Sequence, residues 1–254
     1  MVNLYSWVKG KPSTSRIYLE DSYVKELDVR VLDYVPEKGN KYYVVFDKTI
    51  FHPRSGGQPS DTGFVVGEGF EFEVLKVLEF GEVIVHYGRL INGSLEKDMV
   101  IRQLINWNHR YYTMRLHTAG HILDYAVMKT YGRLLNTLDA NHGPPESYVV
   151  YEAEFLPESR DLPIIENYAN DVVESSRPVK TYWVEPWELA RRTYNAPNLL
   201  RLPARDRYRI VEIEGINAIP CTGTHVINTR EVGYIEVTRI VRIENGFKLY
   251  YNAL

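Results

Sequence analysis

The hydrophobic period of this chain changes near residue 109, and that change limits the folds open to it. Before it, Val29-Arg30-Val31-Leu32 and Tyr42-Tyr43-Val44-Val45-Phe46 are dense in β-branched and aromatic side chains, with Lys38-Gly39-Asn40 as a turn between them. Phe70 to Val77 alternates apolar with charged residues, the period of a half-buried strand, and Glu82 to Tyr87 follows after Gly81. Short strands so closely spaced predict a small barrel or sandwich. From Arg110 to Thr130 no proline intervenes, and Met114, Leu116, Ile122, Leu123, Ala126, Val127 and Met128 recur at helical spacing. Lys129 in the last turn and Gly132 beyond it form the stop. A second helix is predicted over Asp161 to Ser176, ended by Pro178. Strands return over Tyr208 to Ile213, Val232 to Ile243 and Phe247 to Tyr251, the last two joined by a Glu244-Asn245-Gly246 turn. The expected class is therefore α+β. A small β-barrel domain with a glycine-rich loop spans residues 1–100, and a second domain over 101–254 packs strands on helices.

At 254 residues with 44% hydrophobic and 25% charged positions, the chain is long enough to bury a core without covalent staples. Its 30 basic residues face 33 acidic ones, which excludes a polycation that binds nucleic acid by bulk charge. The single cysteine, Cys221, cannot close an intrachain disulfide and needs no oxidising compartment. The N-terminal stretch lacks the apolar core and small-residue cleavage site of a signal peptide, and nowhere do ~18 apolar residues run together. No membrane partner is expected, and a soluble, cytoplasmic protein is.

Two pairs of potential metal ligands stand at matched spacing. In His117-Thr118-Ala119-Gly120-His121, four residues make slightly more than one helical turn, so both imidazoles leave one helix face and can converge on one ion. In Cys221-Thr222-Gly223-Thr224-His225, the only cysteine is followed four positions later by a histidine in a Gly/Thr-rich loop. Together the pairs use three of the seven histidines and the one cysteine, and one cysteine with three histidines is a tetrahedral zinc set. Each pair alone reads equally as buried side chains bonded within the fold. Four protein donors would close a structural site, whereas catalysis needs a position for water or substrate; the spacing leaves that open. A third motif, Phe51 to Gly63, pairs Gly56 with Gly57 ahead of Gln58-Pro59-Ser60-Asp61. It lacks the lysine of a phosphate loop and reads by itself as a tight turn.

Taken in order, Gly56-Gly57-Gln58-Pro59-Ser60-Asp61, Met114 to His121 and Cys221 to Val226 resemble the editing domain of alanyl-tRNA synthetase, and most closely its free-standing relatives, the AlaX alanyl-tRNA editing proteins. Glu166 to Asn170 and Asn228 to Gly233 add to the resemblance, which covers Val29 to Tyr251. With the chain ending soon after its last strand, the medium-length form is expected. Ser55 stands where the family has a third glycine, Thr222 where it often has glycine, and His52 where tyrosine is more usual.

The resemblance implies a zinc-dependent aminoacyl-tRNA deacylase. It would hydrolyse the ester of mischarged Ser-tRNA(Ala) in trans, with Gly-tRNA(Ala) a second target, because a pocket made for alanine rejects neither error well by size. The ion would be Zn2+ held by His117, His121, Cys221 and His225, polarising a water with no separate side-chain base. Gln58 would be the editing-site glutamine. Thr137, twenty residues past His117, would supply the hydroxyl that recognises serine. Asp61 is expected to stabilise its turn. Six arginines, Arg191, Arg192, Arg201, Arg205, Arg207 and Arg209, face only Asp206 between positions 191 and 209, with Tyr194 and Tyr208 interleaved, and form the expected tRNA contact. Ion pairs with Glu185, Glu188 or Glu212 are the plainer reading of the same stretch. The alternative function is a non-catalytic tRNA- or ribosome-binding module with a structural zinc. A His-Glu-x-x-His peptidase motif is missing.

Overall fold

The computed structural model describes residues 2–254 and resolves two compact units. One runs from the N-terminus to Ser55 and from Pro59 to Tyr111; the other joins Gly56–Gln58 to Tyr112–Leu254.

The first unit is a closed six-stranded barrel. Its strands are β1 Glu26–Pro36, β2 Lys41–Phe46, β3 Gly63–Gly67, β4 Phe70–Phe80, β5 Val83–Asn92 and β6 Val100–Ile105. They close in the order β1-β2-β5-β4-β3-β6, antiparallel at every seam. Closure removes the free edges that short strands would otherwise expose. The alternation read over Phe70 to Val77 breaks at Leu75, and the reason is a bulge. Register shifts between Val74 and Lys76, Leu75 turns outward, and Val77 joins Phe70, Phe72 and Val74 inside. Val29, Val31, Val44, Phe46 and Ile84 complete the packing. Among them lies a polar cluster in which Thr49 Oγ1 meets His86 Nε2 at 2.8 Å, and burial pushes the His86 pKa down to about 3. Asp61 stabilises its turn as expected. It accepts from the His52 amide at 2.6 Å and pairs with the fully buried Arg110, which also donates to Ser22 O at 2.9 Å.

Helix α1, Trp107–Tyr131, contains the division between the units after Tyr111. It begins three residues earlier than its apolar stripe suggests, because the Asn106 side chain accepts the His109 amide at 3.3 Å and caps the first turn. From Met114 to Val127 it is buried at nearly every position. The second unit adds β7 Thr137–Asn141, β8 Ser147–Glu152, α2 Asp161–Glu174, β9 Val179–Val184, β10 Tyr208–Ile213, β11 Asn217–Pro220, β12 Ile235–Ile243 and β13 Gly246–Ala253. They form a four-stranded sheet in the order β12-β13-β8-β7 and a three-stranded sheet β9-β10-β11. Helix α2 is fixed to β12 by side chains. Asn170 Oδ1 accepts from Ile235 N at 2.9 Å, its Nδ2 returns a bond to Ile235 O at 2.8 Å, and Glu166 accepts from Val237 N at 2.7 Å.

The strand predicted from Val232 begins at Ile235. Thr229–Val232 is a 3-10 turn capped by the Asn228 side chain, and Gly233 at φ 78° redirects the chain before pairing starts. No helix among the described residues is long and apolar enough to cross a membrane.

Candidate metal centre

Helix α1 places His117 and His121 one turn apart, and the loop after β11 carries Cys221 and His225. One ligand atom from each of the four lies within 4.8 Å of the others, and all but Cys221 are buried. The two pairs converge in space.

Hydrogen bonds decide which nitrogens remain for a metal. Gln58 Oε1 accepts from the Thr224 amide at 2.9 Å, which fixes the oxygen end of its side chain, and it meets His117 Nδ1 at 2.9 Å. An amide oxygen only accepts, so Nδ1 carries the proton. Thr118 works the same way. Its hydroxyl donates to Met114 O at 2.9 Å, so its oxygen must accept from His225 Nδ1 at 3.1 Å. Both imidazoles therefore turn an unprotonated Nε2 toward Cys221 Sγ, each at 3.5 Å. Fixing one ring nitrogen to orient the other is how proteins prepare a histidine ligand. His121 makes no such bond, and its buried Nδ1 has no partner. Burial pushes its pKa down to about 3 and raises that of the Cys221 thiol. A neutral imidazole and a desolvated thiol fit a bound cation, which would favour thiolate.

Three motif glycines make room for imidazole rings here, Gly223 for His117 and the other two for His142. A Cβ at Gly223 would lie 2.8 Å from Gln58 Oε1 and well within van der Waals range of the His117 ring. At Gly120 it would lie 2.7 Å from Nδ1 of His142, and at Gly57, which has φ 77°, 2.8 Å from Ala140 O and 3.0 Å from Cδ2 of His142. His142 is a neighbour that no spacing pointed to. It is buried, and its ring stacks on His117 with centroids 4.4 Å apart and planes 15° apart. Its amide donates to Gly57 O at 2.8 Å.

The other expected site residues are distributed as follows. Gln58 is fully buried and its amide serves His117 and Thr224, donating to Thr224 Oγ1 at 2.8 Å. Thr137 opens β7 half-buried, with its hydroxyl 3.5 Å from Asp124 Oδ1, which also accepts from Tyr151 at 3.0 Å. Arg209 is not a surface cation. It is 3% exposed and its Nη1 donates to Cys221 O at 3.0 Å and Gly223 O at 2.9 Å, so it holds the ligand loop in shape. Strand parity could have found it, since Arg209 shares a face of β10 with buried Val211 and Ile213. Arg191 pairs with Glu188 at 2.7 Å, Arg201 with Glu152 at 3.1 Å and Arg207 with Glu185 at 3.3 Å. Arg192 and Arg205 have no ion pair among the described residues.

Comparison with known proteins follows the same lines. Residues 23–109 match the family of class II (A) tRNA synthetases, and residues 208–247 match the second additional domain of threonyl and alanyl tRNA synthetases. The chain is 31% identical over 243 residues to an alanine–tRNA ligase of Ignicoccus hospitalis, covering 96% of this chain and 26% of the ligase. It thus spans about a quarter of the ligases it matches. Against the alanyl-tRNA editing protein AlaX-M of Methanosarcina barkeri it is 34% identical over 241 residues, covering 92% of this chain and 95% of that protein. Against AlaX-M of Saccharolobus solfataricus it is 35% identical over 247 residues, covering 94% and 98%. With its three motifs gathered into one prepared cluster and these relatives aligned over more than nine-tenths of it, the chain belongs to the AlaX-M family of alanyl-tRNA editing proteins.

Proposed function

We propose that this protein is a zinc-dependent deacylase acting in the cytoplasm on tRNA(Ala) mischarged with serine, and with glycine as a second substrate. The observation that carries the reading is the convergence of His117, His121, Cys221 and His225, with two of the imidazoles already turned Nε2-inward by Gln58 and Thr118. A borderline-soft set of one sulfur and three nitrogens suits zinc. His117, His121, Cys221 and His225 would hold the ion, which would supply Lewis-acid chemistry for the hydrolysis.

The chain's own groups do the rest. Gln58 and Thr118 keep the ligand rings from rotating, and Arg209 ties down the carbonyls on either side of Thr222 so that Cys221 and His225 keep their separation. Thr137 is the candidate for reading the serine hydroxyl. A buried polar group left unpaired when alanine binds discriminates where packing cannot. Among the described residues, Arg192 and Arg205 are the two of the six arginines without a carboxylate partner or a buried loop contact, and are the candidates to neutralise tRNA phosphates.

The test is deacylation of Ser-, Gly- and Ala-tRNA(Ala) by purified protein beside Cys221→Ala. Release of serine and glycine with alanine spared, and loss of all release in the variant, supports the reading. Four protein donors can also close a metal's coordination shell. Protein that holds its metal yet hydrolyses none of the three would be a structural zinc module that binds tRNA.

A further inference from the structure

The His142 ring is held more firmly than a packing residue requires. Gly120 and Gly57 admit it from two sides, and His117 stacks on its face. Tyr251 Oη donates to Leu116 O at 2.9 Å and lies 2.7 Å from His142 Nδ1. A phenol has one proton, and the carbonyl of Leu116 can only accept, so that proton belongs to the bond with Leu116. The bond between Tyr251 and His142 must then run from Nδ1–H to the phenol oxygen. His142 is thereby locked as the Nδ1–H tautomer, with its lone pair on Nε2. Among the described residues no hydrogen bond reaches that Nε2, and the residue keeps 5% of its surface exposed.

The acceptors beside the candidate ligands His117 and His225 are already committed. Gln58 Oε1 takes two donors, and the Thr118 hydroxyl takes His225 and the Val226 amide while donating to Met114. A lone pair fixed in direction and left open, on a ring stacked against a candidate metal ligand, is an arrangement for a small donor molecule. Ester hydrolysis consumes one, water. We propose that His142 Nε2 accepts a hydrogen bond from the water used in hydrolysis and orients it, with Tyr251 holding the tautomer that makes this possible. The proposal rests on the deacylase reading for the reaction, and on Tyr251 and Leu116 alone for the tautomer.

Two measurements test it. Long-range 1H–15N spectra of the zinc-loaded, 15N-labelled protein read the tautomer directly. A single Nδ1–H form for His142 is expected, and a mixture in Tyr251→Phe; an Nε2–H form in the unmodified protein overturns the proposal whatever the substrate is. Kinetics on Ser-tRNA(Ala) read the role. His142→Phe keeps a stacked ring without the lone pair, and is expected to lower kcat about a hundredfold with KM within about threefold and zinc per chain unchanged. His142→Gln, which returns an acceptor near the Nε2 position, is expected to recover about tenfold of that loss. Should the phenylalanine variant misfold, Tyr251→Phe still reports, with kcat lowered and zinc retained. Unchanged kcat at full zinc overturns the proposal, as does zinc lost in step with activity. A protein that fails to hydrolyse Ser-tRNA(Ala) at all refutes the substrate reading, and the tautomer spectrum then decides the proposal by itself.

Discussion

In a Gly223→Ala variant the added methyl would lie 2.8 Å from Gln58 Oε1 and inside the envelope of the His117 ring. Ordinary van der Waals separation begins near ~3.5 Å, so the ring must retreat by about 1 Å or more. The His117–Gln58 bond, 2.9 Å in the structure, cannot survive that displacement, because Gln58 is itself held by Thr224 and cannot follow. Overpacking of this kind costs about 1–3 kcal/mol, and removing the partner that orients a ligating histidine weakens metal binding by about 10- to 100-fold. The two effects are separable. Competition against a chelator of known affinity reads the second, and thermal unfolding with and without zinc reads both. Zinc affinity should fall by one to two orders of magnitude, with a larger drop in melting temperature in the presence of zinc than in its absence. Wild-type zinc affinity in Gly223→Ala would refute the reasoning, since it would mean that the loop relaxes without moving His117.

Three further outcomes follow from other parts of the chain. Burial raises the Asp124 pKa from its usual 3.8 to about 7, so the folded state holds the proton longer than the unfolded chain does. That contribution is present at low pH and is lost as pH rises from about 4 to about 7. Asp124→Asn keeps an acceptor for Tyr151 and Thr137, and should be more stable than wild type above pH 7 by a few kcal/mol, at most about 4; parallel stability profiles from pH 4 to 8 would contradict this. Thr137→Val should lower the ratio of Ser- to Ala-tRNA(Ala) hydrolysis about tenfold to a hundredfold, and an unchanged ratio with zinc bound would leave the Thr137 hydroxyl only its bond to Asp124. Arg192→Ala with Arg205→Ala should weaken binding to all tRNAs and flatten its salt dependence by about 0.7 to 0.9 for each phosphate no longer neutralised, and an unchanged slope would remove both from the interface.

What the sequence reveals here depends on whether the information is local. The quartet of ligands is legible because each pair sits within five residues, where spacing alone sets direction. The barrel is legible in its long apolar strands, whereas β7, Thr137–Asn141, has no apolar run and pairs only because β8 is beside it. His142 carries no local mark, since its partners are Gly57, Gly120 and Tyr251, each distant in sequence. Arg209 reads as one cation among six until β10 turns it inward onto the carbonyls of the Cys221 loop. Gln58 was expected at the site, but only its hydrogen bonds show that it steers a ligand.

Titration of zinc into metal-stripped protein, with Ser-tRNA(Ala) hydrolysis followed at each addition, tests the central claim most directly. Hydrolysis should be absent without metal, rise in proportion to zinc added and break at one equivalent per chain, with Ala-tRNA(Ala) intact throughout. Hydrolysis at full rate in the stripped protein, or one equivalent of zinc bound with Ser-tRNA(Ala) left uncleaved, would contradict it.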